Sequence, residues 1–153
     1  MPELSNQIDS YVETAAVQAF EVMCFAELTP AQEYMAIEGK RIVAQVDFDH
    51  EASGQMRMEL PPAVAQAIAA NFFGDDDGAL SDTQVRSMVA ELTNIICGSL
   101  LSRLNPTSLM MLSSPEIFMA DEDCHLASCY NFQLDGFPVL ISIGWNESKE
   151  RVA

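Results

Sequence analysis

A carboxylate, a carboxamide, a hydroxyl and a glycine recur on one face of the segment from Ser81 to Leu104: Glu91, Asn94, Ser87 and Gly98. An α-helix turns about 100° per residue. With Leu92 as zero, Val85, Met88, Val89, Ile95, Ile96 and Leu100 fall within about 80° of it and form the stripe expected to be buried. Glu91, Asn94, Ser87 and Gly98 fall on the other side, in a wedge about 60° wide, with Ala90 and Leu101 at its edge as an expected apolar rim. The carboxylate can pair with a cation on another molecule. The carboxamide can donate and accept at once, which suits it to holding a water. Asn is a poor mid-helix residue, and Gly98 costs about 1 kcal/mol relative to Ala, so helix stability does not account for either on this face.

The elements that must present this face can be read from pattern. Ser81 with Gln84 makes a capping box that opens the helix, and Asn105-Pro106 stops it. An earlier helix is expected from about Ser5 to Phe25, with Ile8, Val12, Ala15, Ala16, Phe20, Met23 and Cys24 at helical spacing. Thr29-Pro30 reads as the start of a short turn or helix near 30–36. Ile42, Ala44, Val46 and Phe48 alternate with polar neighbours, as do Met56, Met58 and Leu60 after a turn at Asp49–Gly54, predicting a hairpin with one polar face. Pro61-Pro62 opens a further helix that Gly74 ends, followed by an acidic loop, Asp75 to Gly78.

Beyond Pro106 the chain is β-like over 108–112, 116–120, 124–134 and 138–145, the last two joined by Asp135-Gly136, a strong hairpin signal. The fold class predicted is α+β, with two long helices on one face of a mostly antiparallel sheet. One domain would span residues 1–153, with a polar tail from Glu147 frayed. Asp9, Glu13 and Ala16 echo the spacing of Ser87, Glu91 and Asn94. They hint at a duplicated helix–strand–strand unit whose first copy has lost its carboxamide.

Composition narrows the partners. The formal charge is −16 over 153 residues, which argues against a nucleic-acid backbone or an anionic membrane as partner. No apolar run approaches the roughly 20 residues of a membrane span, and no secretory signal pattern is present. Cys24 and Cys97 fall in apolar helical patterns, and Cys124 and Cys129 show no disulfide or metal spacing, so a reducing cytoplasm is the expected setting. His50 and His125 lack the spacing of metal ligands. The Asp75–Asp77 run lacks the spaced ligands of a calcium loop. Ser99, Ser113 and Ser114 have no evident His partner for nucleophilic hydrolysis. No metal site is expected.

The pattern Ser87-x-x-x-Glu91-x-x-Asn94, in a helix followed by an apolar stretch containing Gly98, resembles the CheC/CheX/FliY family of chemotaxis phosphatases. Gly54 to Pro62, the Pro-started helix behind it and Phe72-Phe73-Gly74 are similar to the same family, and the likeness extends over about 35–145. The family pattern places a proline a little over twenty residues after the Asn; here Pro115 stands with twenty between, so the loop after the helix is slightly trimmed. A single Glu-x-x-Asn motif favours the CheX type, with a CheC-like fold.

The resemblance implies a cytoplasmic phosphatase acting on the aspartyl phosphate of a CheY-like response regulator. Phosphoryl transfer is mostly positioning and electrostatics. The receiver would bring its own Lys and Mg²⁺, and this chain would need no cofactor of its own. Asn94 would then orient the attacking water, Glu91 would pair with the receiver Lys, and Ser87, Gly98, Ala90 and Leu101 would touch the partner. A homodimer is implied as well. Two other readings use the same residues: a non-catalytic module that binds a receiver or another signalling partner, and an acidic oligomerisation domain whose sheet edge is covered by a second copy.

Overall fold

The computed structural model describes residues 2–74 and 80–146. The expected acidic loop and the polar tail lie outside the described residues. The chain forms α1 (Pro2–Cys24), β1 (Thr29–Pro30), β2 (Arg41–Asp49), β3 (Ser53–Leu60), α2 (Pro62–Phe73), α3 (Asp82–Leu104), β4 (Met111–Leu112), β5 (Glu116–Ala120), β6 (Ser128–Leu134) and β7 (Phe137–Trp145). The strands make one sheet in the order β1-β6-β7-β3-β2-β4, with β5 also on β2. Every pairing is antiparallel. The α+β class holds, with short α2 joining the two long helices on the same face.

Local chemistry sets most boundaries. Ser81 and Gln84 form the reciprocal capping box at the start of α3. Gly74 closes α2 in the left-handed region at φ 69°, its N–H donating to the Ala70 carbonyl. Asp135 and Gly136 both have positive φ, 50° and 84°, which is the geometry a two-residue hairpin between β6 and β7 needs. The expected turn or helix near 30–36 is instead β1 followed by irregular chain: Thr29 and Pro30 pair with Gln133 and Phe132, and the Ala31 N–H extends the ladder to the Asn131 carbonyl. Likewise the strand predicted over 108–112 shortens to Met111–Leu112. The strand predicted from 124 begins at Ser128, which leaves Cys124 in a loop.

One hydrophobic core lies between the helices and the sheet. Its floor is Ile42, Ala44, Val46, Met56, Met58, Ile141 and Ile143; its roof includes Val12, Phe20, Ile68, Leu92, Ile96 and Leu100. Each large apolar side chain buried in this way contributes roughly 1.5–3 kcal/mol. The Asp49–Ser53 turn is tied to the end of α3, because Asn105 Nδ2 donates to Glu51 and its carbonyl lies 3.1 Å from His50 Nε2. His50 therefore serves as a structural tie.

The outer face of the sheet departs from expectation. The polar side of the β2–β3 hairpin was expected to face solvent, yet Arg41 is only 3% exposed and Glu59 only 1%. Segments 31–40 and 121–127 cover it. Arg41 donates to Asp123 Oδ1 at 2.6 Å and to the Ile37 carbonyl at 2.7 Å. Arg57 donates to the Cys124 carbonyl at 2.6 Å, and the Cys124 N–H donates to Glu59 at 2.9 Å. The alternation of polar residues was legible, but the straps that cross over them are a tertiary feature. Arg41 Nε and Glu59 Oε2 are buried with no hydrogen-bond partner among the described residues.

Candidate functional site

α3 is held on two flanks. On one, Arg86 donates to the Ile117 carbonyl of β5 at 3.3 Å and pairs with Asp82 one turn back at 2.7 Å. On the other, Arg103 reaches Gln18 of α1 at 2.8 Å. A β-carbon added to Gly98 would lie 3.8 Å from Leu112 Cδ1 and 3.9 Å from Met110 Sδ. The chain returning from α3 thus passes along the Gly98 flank, at ordinary van der Waals distance.

That return corrects the predicted helix faces. Leu101, expected on the docking rim, is 0% exposed and belongs to the core. It cannot touch a partner without local unfolding. Ile95, expected in the buried stripe, is 38% exposed. The buried arc of α3 is therefore rotated away from Ile95 and toward Thr93, Cys97 and Leu101, all of them buried. The Thr93 hydroxyl is satisfied within the helix, donating to the Val89 carbonyl at 2.8 Å.

The remaining candidate residues keep to the accessible side. Ser87 and Glu91 are exposed, while Ala90, Asn94 and Gly98 are half-buried. Ser87 and Glu91 line a cleft of about 330 Å³ together with Met88, Met23 of α1 and Phe72 and Phe73 of α2. Asn94, Ala90 and Gly98 do not line it. Asn94 Oδ1 is buried and, among the described residues, accepts no hydrogen bond. A buried acceptor left unpaired costs about 1–3 kcal/mol, so hydrogen bonding to this oxygen does not favour the resting orientation.

The sequence reading missed the contribution of Phe72 and Phe73 to this site. The signal was two adjacent aromatics at the end of an otherwise small-residue helix. Nothing local to them, however, placed that helix end against Ser87 and Glu91.

The other candidates resolve without chemistry. Among the described residues no group of three or more His, Cys, Asp or Glu side chains is placed to hold a metal ion. All four cysteines are free. Burial pushes the Cys24 and Cys97 thiols up to about 12. Asp9 and Glu13 line a cleft of about 600 Å³, beside Tyr130. Burial, followed by the hydrogen bond to Asp9, raises the Tyr130 phenol to about 12. Among the described residues no helix is long and apolar enough to cross a membrane.

Comparison with known proteins follows the same lines. The family model described as chemotaxis phosphatase CheX matches residues 42–132, which takes in β2, β3, α2, α3 and most of β6. The fold is similar to that of a chemotaxis protein CheX from Desulfovibrio desulfuricans, with TM-score 0.74 and 18% identity over 91% of this chain and 99% of that one. It is similar to the chemotaxis protein CheX from Vibrio vulnificus, with TM-score 0.74 and 17% identity over 90% of this chain and 95% of that one. It is also similar to the CheX chain in a CheX–CheY–BeF3–Mg²⁺ complex from Borrelia burgdorferi, with TM-score 0.66 and 18% identity over 90% of this chain and 97% of that one. Comparison with curated proteins yields no match.

Proposed function

The chain belongs to the CheX family of chemotaxis phosphatases, and from that premise we propose that it hydrolyses the aspartyl phosphate of a CheY-like response regulator in the cytoplasm. The observation that carries this reading is the face of α3 that bears an exposed Glu91 and, one turn on, a half-buried Asn94 whose carboxamide oxygen has no hydrogen-bond partner among the described residues. The complex of a structurally similar CheX with CheY supports the choice of partner.

In the reaction, water attacks phosphorus, the bond from phosphorus to the receiver's aspartate oxygen breaks, and aspartate and inorganic phosphate are released. Glu91 pairs with the receiver Lys and sets the register of α3 in the pocket. Asn94 then swings its free carboxamide onto the water and holds it in line with the breaking bond. The swing sacrifices no hydrogen bond made by the resting oxygen. The chain acts as a single domain, and a homodimer belongs to the same proposal. The edge of β6 ahead of Asn131, which β1 leaves uncovered, offers a place for a second copy.

A second reading rests on one observation. Asn94 lies outside the cleft that Ser87 and Glu91 line, with its oxygen turned inward. Were that orientation retained in the complex, the chain would bind a receiver without turnover. Loss of phosphate from a phosphorylated receiver, followed with and without the protein, separates the two. Accelerated decay supports the phosphatase; binding with unchanged decay supports the module.

A further inference from the structure

We propose that Phe72 and Phe73 form the apolar seat on which the receiver rests while Glu91 and Asn94 engage its phosphorylated pocket. The proposal rests on the phosphatase reading and adds to it the residues that set affinity. The two rings pack edge to face, with centroids 5.0 Å apart and planes at 86°. Phe72 is 41% exposed and Phe73 42%. They stand at the very end of α2, where the left-handed Gly74 stops the helix and Asn71 Nδ2 donates to the Cys24 carbonyl at 2.9 Å, fixing the end of α2 to the end of α1. The pair is thus an exposed aromatic surface on a rigid mount, the kind of feature that dominates interface energetics.

Its position selects the occupant. Glu91 and Ser87 are walls of the same cleft as both rings. A receiver whose pocket encloses Glu91 must lay the surface around that pocket over Phe72 and Phe73, and the chemistry of that surface must be apolar. Met23 of α1 and Met88 of α3 complete the apolar lining of that cleft. A second copy of this chain seated on the rings would cover Glu91 and Ser87, so dimerisation through this face and receiver binding exclude one another.

The seat acts on binding and leaves the chemical step alone. The test compares the wild-type protein with Phe72→Ala/Phe73→Ala, with Phe73→Gln and with the conservative Phe73→Leu. Each is measured in steady-state dephosphorylation of a phosphorylated receiver and in equilibrium binding of the same receiver held active by beryllofluoride and Mg²⁺. The double variant is expected to raise KM and Kd about tenfold or more with kcat within about twofold, Phe73→Gln to do the same in smaller measure, and Phe73→Leu to stay near wild type. Phe73→Gln keeps the test open if the double variant fails to fold. Unchanged KM and Kd in a folded variant, with wild type active, overturn the seat alone. Loss of dimer mass by light scattering with receiver binding intact assigns the face to a second copy and also overturns it. A wild type that neither binds nor dephosphorylates the receiver overturns the phosphatase reading, and the seat with it.

Discussion

Glu91 and Asn94 lie one turn apart on α3 and differ in what holds them. Glu91 is exposed in a cleft with Phe72 and Phe73, whereas Asn94 Oδ1 is buried with no donor among the described residues. One group is free to meet a partner at once. The other has its acceptor turned inside the protein, unpaired among the described residues.

The first prediction concerns what that acceptor does to stability. Removing the carboxamide removes an unmet desolvation cost, so Asn94→Ala is expected to leave the protein as stable as wild type or stabilise it by up to about 1 kcal/mol. Urea midpoints at constant m-value check this. A loss of about 2 kcal/mol would mean that the carboxamide makes a structural bond after all.

The exposed position of Glu91 leads to a different pairing of effects. Glu91→Gln should change stability by no more than about 0.5 kcal/mol, while weakening receiver binding about tenfold through loss of a charge-assisted contact. Titration calorimetry with an activated receiver reads the second effect and thermal unfolding the first.

On the opposite face, Arg41 and Glu59 are buried with 3.9 Å between Arg41 Nη1 and Glu59 Oε1. Arg41→Met takes the cation from both Glu59 and Asp123 and should cost about 3–5 kcal/mol, whereas Arg41→Met/Glu59→Met should recover the part due to the buried Glu59 carboxylate. The outer straps lie across the sheet from α3, so decay assays on the folded fraction should show unchanged kcat. A single variant as unstable as the double one would refute the ion-pair account.

The same straps give a pH dependence. The hydrogen bond from the Tyr34 hydroxyl, followed by the Arg41 guanidinium, holds the Asp123 carboxyl below the usual carboxylate range. A carboxyl depressed on folding contributes stability that is complete above its unfolded value, about pH 4, and is lost as pH falls through the folded value. Asp123 is 45% exposed, so the effect is small. The thermal midpoint should fall more steeply below pH 4 in wild type than in Asp123→Asn, and parallel curves would contradict this.

Burial orders the thiols. Cys24 and Cys97 are pushed up to about 12 by burial, and Cys129 to about 11 by burial and then the nearby Glu59 and Asp123 carboxylates. Thiolate is the reactive form. Near pH 8 a disulfide reagent should therefore modify Cys129 slowly, and Cys24 and Cys97 only on unfolding. Rapid modification of all four in the native state would contradict the packing described.

What could be read in the sequence was what neighbours in the chain decide. The Ser81/Gln84 box, the Pro-Pro start and Gly74 end of α2, and the Asp135-Gly136 turn are each fixed by residues within a few positions of one another, and each formed as expected. The alternation in β2 and β3 placed the core face correctly.

The errors came from distant chain. Leu101 is buried in the core, and no periodicity within α3 contains that information. Arg41 and Glu59 are buried because two loops, near residues 37 and 123, meet over the sheet. The Phe72–Phe73 wall of the site depends on how the end of α2 docks against α1. Helical spacing identified the polar residues Ser87, Glu91 and Asn94. Which of them share a cleft, and with what, is a property of packing.

The central claim is that Asn94 acts on the water while Glu91 holds the receiver. It is tested most directly by the rate constant for phosphate release from a saturating phosphorylated receiver with Asn94→Ala, measured beside its Kd for the beryllofluoride-activated form. The account predicts a loss of stimulated hydrolysis of about a hundredfold or more with Kd within about threefold of wild type. Hydrolysis at the wild-type rate in this variant, with binding intact, would contradict it.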